Sequence, residues 1–348
     1  MSRAISIGIP ALVCWVLTLG YGALLLAAEP AENDPLWALN HLAGHWKNDI
    51  KELPSRATPN GGTGTDHELA AWTLGDRFLL GRIRRQQNGL KTLWLATYDQ
   101  QTQKYPLWAF SNAGIQGGQW RGTWDAQNKS LDFVSTDVPP GWTSAGKNEF
   151  PDANTTQVDM WIKNNRGETE FAVQATKTRQ TADWGKAEMA AWTKNAEPTV
   201  ALPAEIKQLE QLIGIWDCRH VSRRAEWTPA EIQTTIKIQR QWILDGWFVQ
   251  DTTISTEKLS GLSLFSFDPQ SKRYRSWWFS DAGHHNTSYG DWDDKARKFT
   301  FAAKLPNGLT SASTGEIQDA DHQTWYVRVT DTAGKVYFDG EWNLTRAK

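Results

Sequence analysis

The two halves of the chain repeat one pattern of glycine, tryptophan and arginine landmarks. Gly44 precedes Trp72 by 28 residues, and Gly214 precedes Trp242 by the same distance. Such a shared spacing predicts two similar domains of about 145 residues, each large enough to bury a core of its own. The landmarks recur in the order Gly44/Gly214, Trp46/Trp216, Trp72/Trp242, Trp108/Trp277, Phe110/Phe279, Ser111/Ser280, Trp124/Trp292 and Arg179/Arg346.

Each repeat begins with a short helical pattern and continues as many short strands. Pro35 and Pro203 suit the first turn of a helix. The segments that follow are rich in aromatic and β-branched residues and are separated by turn signals, which favours an antiparallel barrel or sandwich over βαβ units. The sequence predicts a first domain over residues 34–180, a linker with a short helix over 181–201, and a second domain over 202–348.

The N-terminal segment, residues 1–28, stands apart from both repeats. Arg3 is its only charged residue, and an apolar run covers residues 5–28. This pattern predicts an export signal cleaved after Ala28, and therefore a periplasmic or secreted protein. Because the run is long enough to cross a bilayer, an uncleaved membrane anchor is the alternative, and it is the only membrane contact that the sequence predicts.

Charge and cysteine content narrow the range of partners. The chain has 37 basic and 39 acidic residues, a net charge of −2, and no stripe of basic residues. The sequence therefore predicts no binding to nucleic acid. Cys218 is the only cysteine beyond the N-terminal segment. One thiol cannot form an intrachain disulfide, and Cys218 is interpreted as a buried small hydrophobe.

The helix, the Gly-x-Trp sequence and a terminal arginine together resemble the calycin and lipocalin pattern. The resemblance implies calycin-like β-barrels, each closed at one end by an arginine lying over a tryptophan, a favourable cation–π contact. The matching pairs are Trp46 with Arg179 and Trp216 with Arg346. The order of landmarks is also similar to that of the family called domain of unknown function 1579. That family implies a fold but no ligand, cofactor or catalytic residue.

Polar pairs follow the Trp-x-Phe strand in both repeats. If these strands reach the barrel mouth, the pairs lie at its rim, where polar groups orient ligands. A hairpin turn with side-chain-to-backbone hydrogen bonds also explains these polar pairs, and we favour that interpretation. The candidate ligand-binding residues are Ser111, Asn112, Trp277, Trp278, Ser280, Asp281 and His284.

No metal site or catalytic motif is predicted. His284 and His285 are adjacent on a strand and point to opposite faces, so they cannot converge on one ion. Paired tryptophans such as Trp108 and Trp277 are interpreted as core residues.

The function predicted from these features is an exported, non-enzymatic protein whose barrels bind a small apolar or aromatic ligand. The second barrel is the better candidate because Trp278 replaces Ala109 of the first copy. One alternative is an enzyme at the barrel mouth that uses the rim pairs and His284 or His285. The other is a protein whose exposed tryptophans contact carbohydrate or a surface. The sequence predicts no particular cofactor or oligomeric state.

Overall fold

The computed structural model describes residues 34–113, 118–184, 186–196, 198, 201–255, 258–305 and 308–348. These residues form two closed antiparallel barrels of ten strands each, and each barrel is preceded by a short helix. The predicted fold class is therefore confirmed. The proposed export signal or anchor at 1–28 lies outside the described residues. None of the described helices is long and apolar enough to span a membrane.

The first barrel is an up-and-down meander that closes by pairing its first strand with its last. Helix α1 (Trp37–Asn40) precedes it. Its strands are β1 (Gly44–Glu52), β2 (Gly62–Thr73), β3 (Phe78–Arg85), β4 (Lys91–Ala96), β5 (Tyr105–Ser111), β6 (Gly118–Asp125), β7 (Ser130–Ser135), β8 (Thr143–Asp152), β9 (Thr155–Lys163) and β10 (Thr169–Gln180).

The second barrel has the same strand order and the same closure. A 3₁₀ helix over Ala204–Leu212 precedes it. Its strands are β11 (Gly214–Ser222), β12 (Ile232–Ile243), β13 (Phe248–Ser255), β14 (Lys258–Asp268), β15 (Arg273–Ser280), β16 (His285–Asp293), β17 (Lys298–Lys304), β18 (Thr310–Ile317), β19 (His322–Thr330) and β20 (Val336–Arg346).

Both arginine–tryptophan contacts implied by the resemblance are present. The guanidinium carbon of Arg179 lies 4.3 Å from the ring centroid of Trp46, and that of Arg346 lies 4.3 Å from the ring of Trp216. Each indole also donates a hydrogen bond to the backbone carbonyl four residues before it, that of Leu42 in the first barrel and that of Leu212 in the second. The helix, the tryptophan and the arginine thus form a plug, and the end of each barrel that carries it is called the plug end below.

A glycine leaves space for this plug. Gly44 and Gly214 have φ angles of 124° and 142°, which side-chain-bearing residues rarely adopt. A Cβ atom at Gly44 would lie 2.3 Å from Arg179 Nη1, and one at Gly214 would lie 2.1 Å from Arg346 Nη1. The repeated Gly-x-Trp therefore has a physical cause, because both the backbone conformation and the arginine exclude a larger residue.

The two barrels pack against each other through the outward faces of β3–β5 and β13–β15. Trp108 and Trp277 are buried, as predicted, but they lie between the barrels rather than inside either one. Equivalent residues exchange partners, so an approximate twofold axis relates the halves of the interface. The ring contacts are Phe110–Trp277 and Trp108–Phe279 at 5.0 Å, and Phe110–Phe248 and Phe78–Phe279 at 5.5 Å.

The linker fills the edge of this interface. Its helix α2 (Lys186–Trp192) packs on β2 and β3 of the first barrel. The Trp192 indole donates a hydrogen bond of 3.1 Å to the carbonyl of Ile83. Asn195, just beyond the helix, donates from its side chain to the carbonyl of Trp242 in the second barrel at 2.9 Å. The linker therefore contacts both barrels and helps to hold them together.

We expect the stability of the chain to fall at mildly acidic pH because of His285. Its ring packs edge-on against Trp108, with centroids 4.6 Å apart. Burial lowers the pKa of His285 to about 4, Asp99 opposes that shift, and His284 adds to it. The unfolded chain takes up this proton near the ordinary pKa of 6.5, so the contribution is fully present above pH 6.5 and is lost as the pH falls towards 4.

His285→Gln tests this expectation, since Gln116 occupies the corresponding position of the first repeat. Denaturant midpoints measured from pH 7.5 to 4 should fall less steeply in the variant than in the wild type. All other titrating groups are common to both proteins, so equal pH profiles would show that His285 does not cause the acid sensitivity.

Candidate ligand sites in the two barrels

The interior of the second barrel, its lumen, is open at the end opposite the plug. Trp277 on β15 contacts Phe110 of the first barrel and faces outward. Successive residues of a strand point to opposite faces, so Trp278 faces the lumen. Its side chain is nevertheless 39% exposed. A large inward-facing ring with that exposure indicates that solvent reaches the lumen from this end.

A second aromatic group lines the opposite wall of this lumen. His220 of β11 pairs with Trp342 of β20, and their rings stack with centroids 4.5 Å apart. His220 Nε2 lies 3.0 Å from the Ser222 hydroxyl, and Nδ1 lies 3.2 Å from the Thr234 hydroxyl. Burial lowers the pKa of His220, which favours the neutral ring at pH 7. The open end therefore offers aromatic faces together with uncharged polar groups.

An apolar layer lies below the open end. Ile236 and Leu344 flank Cys218 on the neighbouring strands, and Ile238 is next to Trp216 of the plug. The side chains of this layer, Cys218, Ile236, Ile238 and Leu344, are all buried. Cys218 is buried, as interpreted from the sequence, and burial raises the pKa of its thiol to about 12, which favours the protonated form.

One ion pair lies deeper in the second barrel, close to the plug. Arg240 Nε donates to Asp251 at 2.6 Å, and Arg240 Nη1 donates to the side-chain oxygen of Gln323 at 2.7 Å. The guanidinium carbon of Arg240 also lies 5.3 Å from the centroid of the Trp325 ring. With these partners the charge of Arg240 is compensated. The Arg240–Asp251 pair therefore bounds the apolar part of the lumen on the side of the plug.

The first barrel has charged residues where the second has the apolar layer. Pairing around Trp46 and Trp216 aligns Asn48 with Cys218, Asp66 with Ile236, Glu68 with Ile238, and Lys177 with Leu344. Lys177 Nζ donates to Glu68 at 2.8 Å, and Asn48 Nδ2 donates to the same carboxylate at 2.9 Å. The two lumens therefore share a fold and differ in chemistry.

Each barrel also carries a cleft outside its lumen, beside the plug helix. The cleft of the first barrel has a volume of about 510 Å³ and is lined in part by His41, Lys129 and Phe150. The cleft of the second barrel measures about 430 Å³ and is lined in part by Gln211 and Trp292. Both clefts are open to solvent, so they enclose a small molecule less completely than a barrel interior does.

The structure distributes the candidate residues of the second repeat over three environments. Trp278 lines the lumen, whereas Trp277 is buried between the barrels. Ser280 is buried where β15 ends, and its hydroxyl accepts a hydrogen bond of 3.3 Å from the His284 amide. Asp281 and His284 are exposed in the turn that follows. Only Trp278 of this set therefore contributes a large side chain to the lumen.

The equivalent pair of the first repeat serves the contact between barrels. The Ser111 hydroxyl accepts a hydrogen bond from the Ala113 amide at 3.2 Å. Asn112 is buried, accepts from the Lys91 amide at 2.8 Å, and donates to the Asp245 carboxylate at 2.7 Å. The side-chain-to-backbone hydrogen bonds are those expected of a hairpin turn. The hydrogen bond from Asn112 to Asp245 of the other barrel could not be predicted from the sequence.

The adjacent histidines lie in different environments. His284 is exposed in the turn, and His285 packs on Trp108 in the interface. Among the residues that the structure describes, no three His, Cys, Asp or Glu side chains come together as a metal site. Sequence reasoning missed His220, Trp342 and the charged layer around Glu68. Comparing inward positions between the repeats would have found the charged layer.

Comparisons with known proteins extend the similarity without adding an activity. Residues 203–343 match the model of the family described as "Protein of unknown function (DUF1579)", which confirms the predicted resemblance over the second barrel. A search of curated proteins found no match.

Three solved structures are among those to which the chain is similar. A DUF3598-family protein of unknown function from Nostoc punctiforme is 9% identical, with 89% of this chain and 98% of that chain covered and a TM-score of 0.28. The S-type phycobiliprotein lyase of Guillardia theta is 11% identical, with 42% and 92% covered and a TM-score of 0.30. Transferrin binding protein B of Neisseria meningitidis is 9% identical, with 87% and 76% covered and a TM-score of 0.20.

Proposed function

We propose that the second barrel, whose sequence matches the DUF1579 family model, binds a small apolar or aromatic molecule in its lumen. The observation that carries this proposal is Trp278, which faces inward and is 39% exposed. An apolar surface of this size left in contact with water favours a ligand that covers it, because burying an aromatic face releases its hydration.

The surroundings of Trp278 support an apolar rather than a charged ligand. Stacked His220 and Trp342 supply a second ring surface on the far wall. The layer below contains Cys218, Ile236 and other buried apolar side chains, and the Arg240 charge beneath it is already compensated by Asp251. A ligand with an apolar body and one weakly polar group matches this combination, since convergent hydroxyls are the usual means of orienting such a molecule.

The experiment is a titration of the full-length chain with 1-aminoanthracene, an uncharged aromatic probe whose emission rises in apolar surroundings. Palmitate and haem are then tested as competitors. We expect saturable binding with a stoichiometry of one. Trp278→Ala removes the exposed ring and should weaken the affinity by about tenfold or more, as losing one well-packed aromatic contact usually does.

Tyr326→Ala is the matched control. Tyr326 is also 39% exposed, but it lies next to the inward-facing Trp325 and therefore points away from the lumen. Its replacement should leave probe binding unchanged. Equal losses in the two variants would mean that the probe binds exposed aromatic surface in general. Absence of saturable binding to the wild type would remove the proposal and favour the surface-binding alternative.

A further inference from the structure

A row of polar residues crosses five adjacent strands inside the first barrel. Cross-strand partners share a face of the sheet, and the row shares the face of Trp46. Within it Thr156 pairs with Lys177, Lys177 with Asn48, Asn48 with Asp66, and Asp66 with Arg85. Five strands therefore present one continuous polar wall to the lumen.

The charges of this wall do not balance. Glu68 is compensated by Lys177 at 2.8 Å and also accepts a hydrogen bond of 3.1 Å from the Trp94 indole. Arg85 is shared by Asp66 at 2.9 Å and Glu52 at 2.7 Å. Three carboxylates of the wall thus share two cations, because the third cation of this face, Arg179, lies over Trp46 at the plug. The excess negative charge lies on the Asp66 side of the wall.

Two buried oxygen atoms of the same wall lack a hydrogen-bond partner within the described part of the chain. They are Oδ1 of Asn48, whose residue is 4% exposed, and Oγ1 of Thr156, whose residue is 0% exposed. Leaving a buried acceptor unpaired is unfavourable. Asn48 Oδ1 can only accept a hydrogen bond, and the Thr156 hydroxyl can accept or donate one, so a ligand with N–H donors would satisfy both atoms.

The neighbouring inward positions are apolar. Ala175 pairs with Ile50 on one side and Val158 on the other, and Met160 pairs with Val173 on the same face. Val158, Met160 and Val173 are only half-buried although they face inward, so part of this lumen is accessible to solvent. A ligand here would meet a polar wall and an apolar wall together.

We propose that the lumen of the first barrel binds a small organic cation, with an ammonium or amidinium group between Asn48 and Asp66 and an apolar body against Val158 and Met160. The cation supplies the missing donors and neutralises the excess carboxylate. Charge-assisted hydrogen bonds to a buried carboxylate are among the strong ones available to such a ligand.

The state of Asp66 agrees with an unfilled need for positive charge. Burial raises the pKa of this carboxyl and the charge of Glu68 adds to the rise, whereas the Arg85 hydrogen bond and the charges of Arg85 and Lys177 oppose it. The second barrel has no counterpart of this wall, because Cys218, Ile236, Ile238 and Leu344 occupy the corresponding positions. The two barrels would therefore hold ligands of different classes at the same time.

The test compares three ligands of one shape by calorimetry on the full-length chain at pH 7 and low salt. Benzamidine carries the cation, benzamide is its uncharged counterpart, and benzoate carries the opposite charge. Benzamidine should bind at least tenfold more tightly than benzamide, and benzoate should not bind. Equal binding of benzamidine and benzamide, preferential binding of benzoate, or no binding of benzamidine would each overturn the proposal.

Variants locate the cation within the chain. Asp66→Asn should weaken benzamidine binding at least tenfold, whereas Asp49→Asn removes an exposed carboxylate from the outward face of β1 and should leave it unchanged. The titrations are repeated in the Trp278→Ala variant, which removes the proposed aromatic site of the second barrel, so that the preference for benzamidine over benzamide reports on the first barrel alone and the two proposals fail or succeed separately. Because Asp66→Asn also removes a partner of Arg85, its circular dichroism is compared with that of the wild type.

The nuclear magnetic resonance signal of the Trp94 indole, which is hydrogen-bonded to Glu68, should also shift when the wild type binds benzamidine. An unchanged signal would mean that the ligand binds elsewhere.

Discussion

Trp277→Ala is expected to lower the free energy of unfolding by about 3–5 kcal/mol, the usual cost of deleting a buried tryptophan. The Trp277 ring is 1% exposed and contacts Phe110 of the first barrel at 5.0 Å. It also lies under Arg275, whose guanidinium carbon is 4.8 Å from the ring and whose Nη2 reaches Asp137 of the first barrel at 3.2 Å. Chemical denaturation followed by circular dichroism measures the loss.

The adjacent residue provides the control for this prediction. Trp278→Ala removes the same side chain from the opposite face of the same strand, where the ring is 39% exposed, and should cost about 1 kcal/mol. The two variants should also differ in binding, since only Trp278→Ala is expected to weaken the apolar probe. Equal losses of stability would show that Trp277 does not hold the barrels together.

Trp277 and Trp278 show which features of the structure could be predicted from the sequence and which could not. The repeat spacing was enough to predict two similar domains, whereas the two barrels and their closure at Trp46 and Trp216 were implied by the family resemblance that Gly-x-Trp and the terminal arginine carry. Strand alternation also places Trp277 and Trp278 on opposite faces. It does not say which face is inside, since Trp277 and Trp278 place a large aromatic ring on each face of β15.

Contacts between the repeats are the part that sequence reasoning could not supply. Asn112 and Asp245 are 133 residues apart and meet only because the barrels pack at one particular rotation. A polar residue before a glycine is explained equally well by a turn, so Asn112 carries no sign of its partner. The charged wall around Asp66 is different, because aligning the inward positions of the two copies reveals it without a structure.

Asp245→Asn is expected to lower the free energy of unfolding by about 3–5 kcal/mol, because it leaves the Lys91 ammonium buried without a counter-charge. Lys91 Nζ donates to Asp245 Oδ1 at 2.6 Å, and both side chains are at least 95% buried. Burial by itself opposes ionisation of Asp245, but hydrogen bonds from Lys91, the Ala196 amide and Asn112 lower its pKa. Asparagine is chosen because residue 245 has a φ of 57°, which asparagine tolerates better than most residues.

Two further variants test whether the loss of stability in Asp245→Asn comes from breaking a buried ion pair or from loss of packing. In Lys91→Met with Asp245→Asn the uncompensated ammonium is gone, so the double variant should be more stable than Asp245→Asn alone. Asp217→Asn removes one member of an exposed pair, whose side chains are 67% and 55% exposed, and should cost less than about 1 kcal/mol. Since Lys91 and Asp245 belong to different barrels, a double variant no more stable than the single one would mean that their contact is held by the surrounding aromatic interface and not by charge.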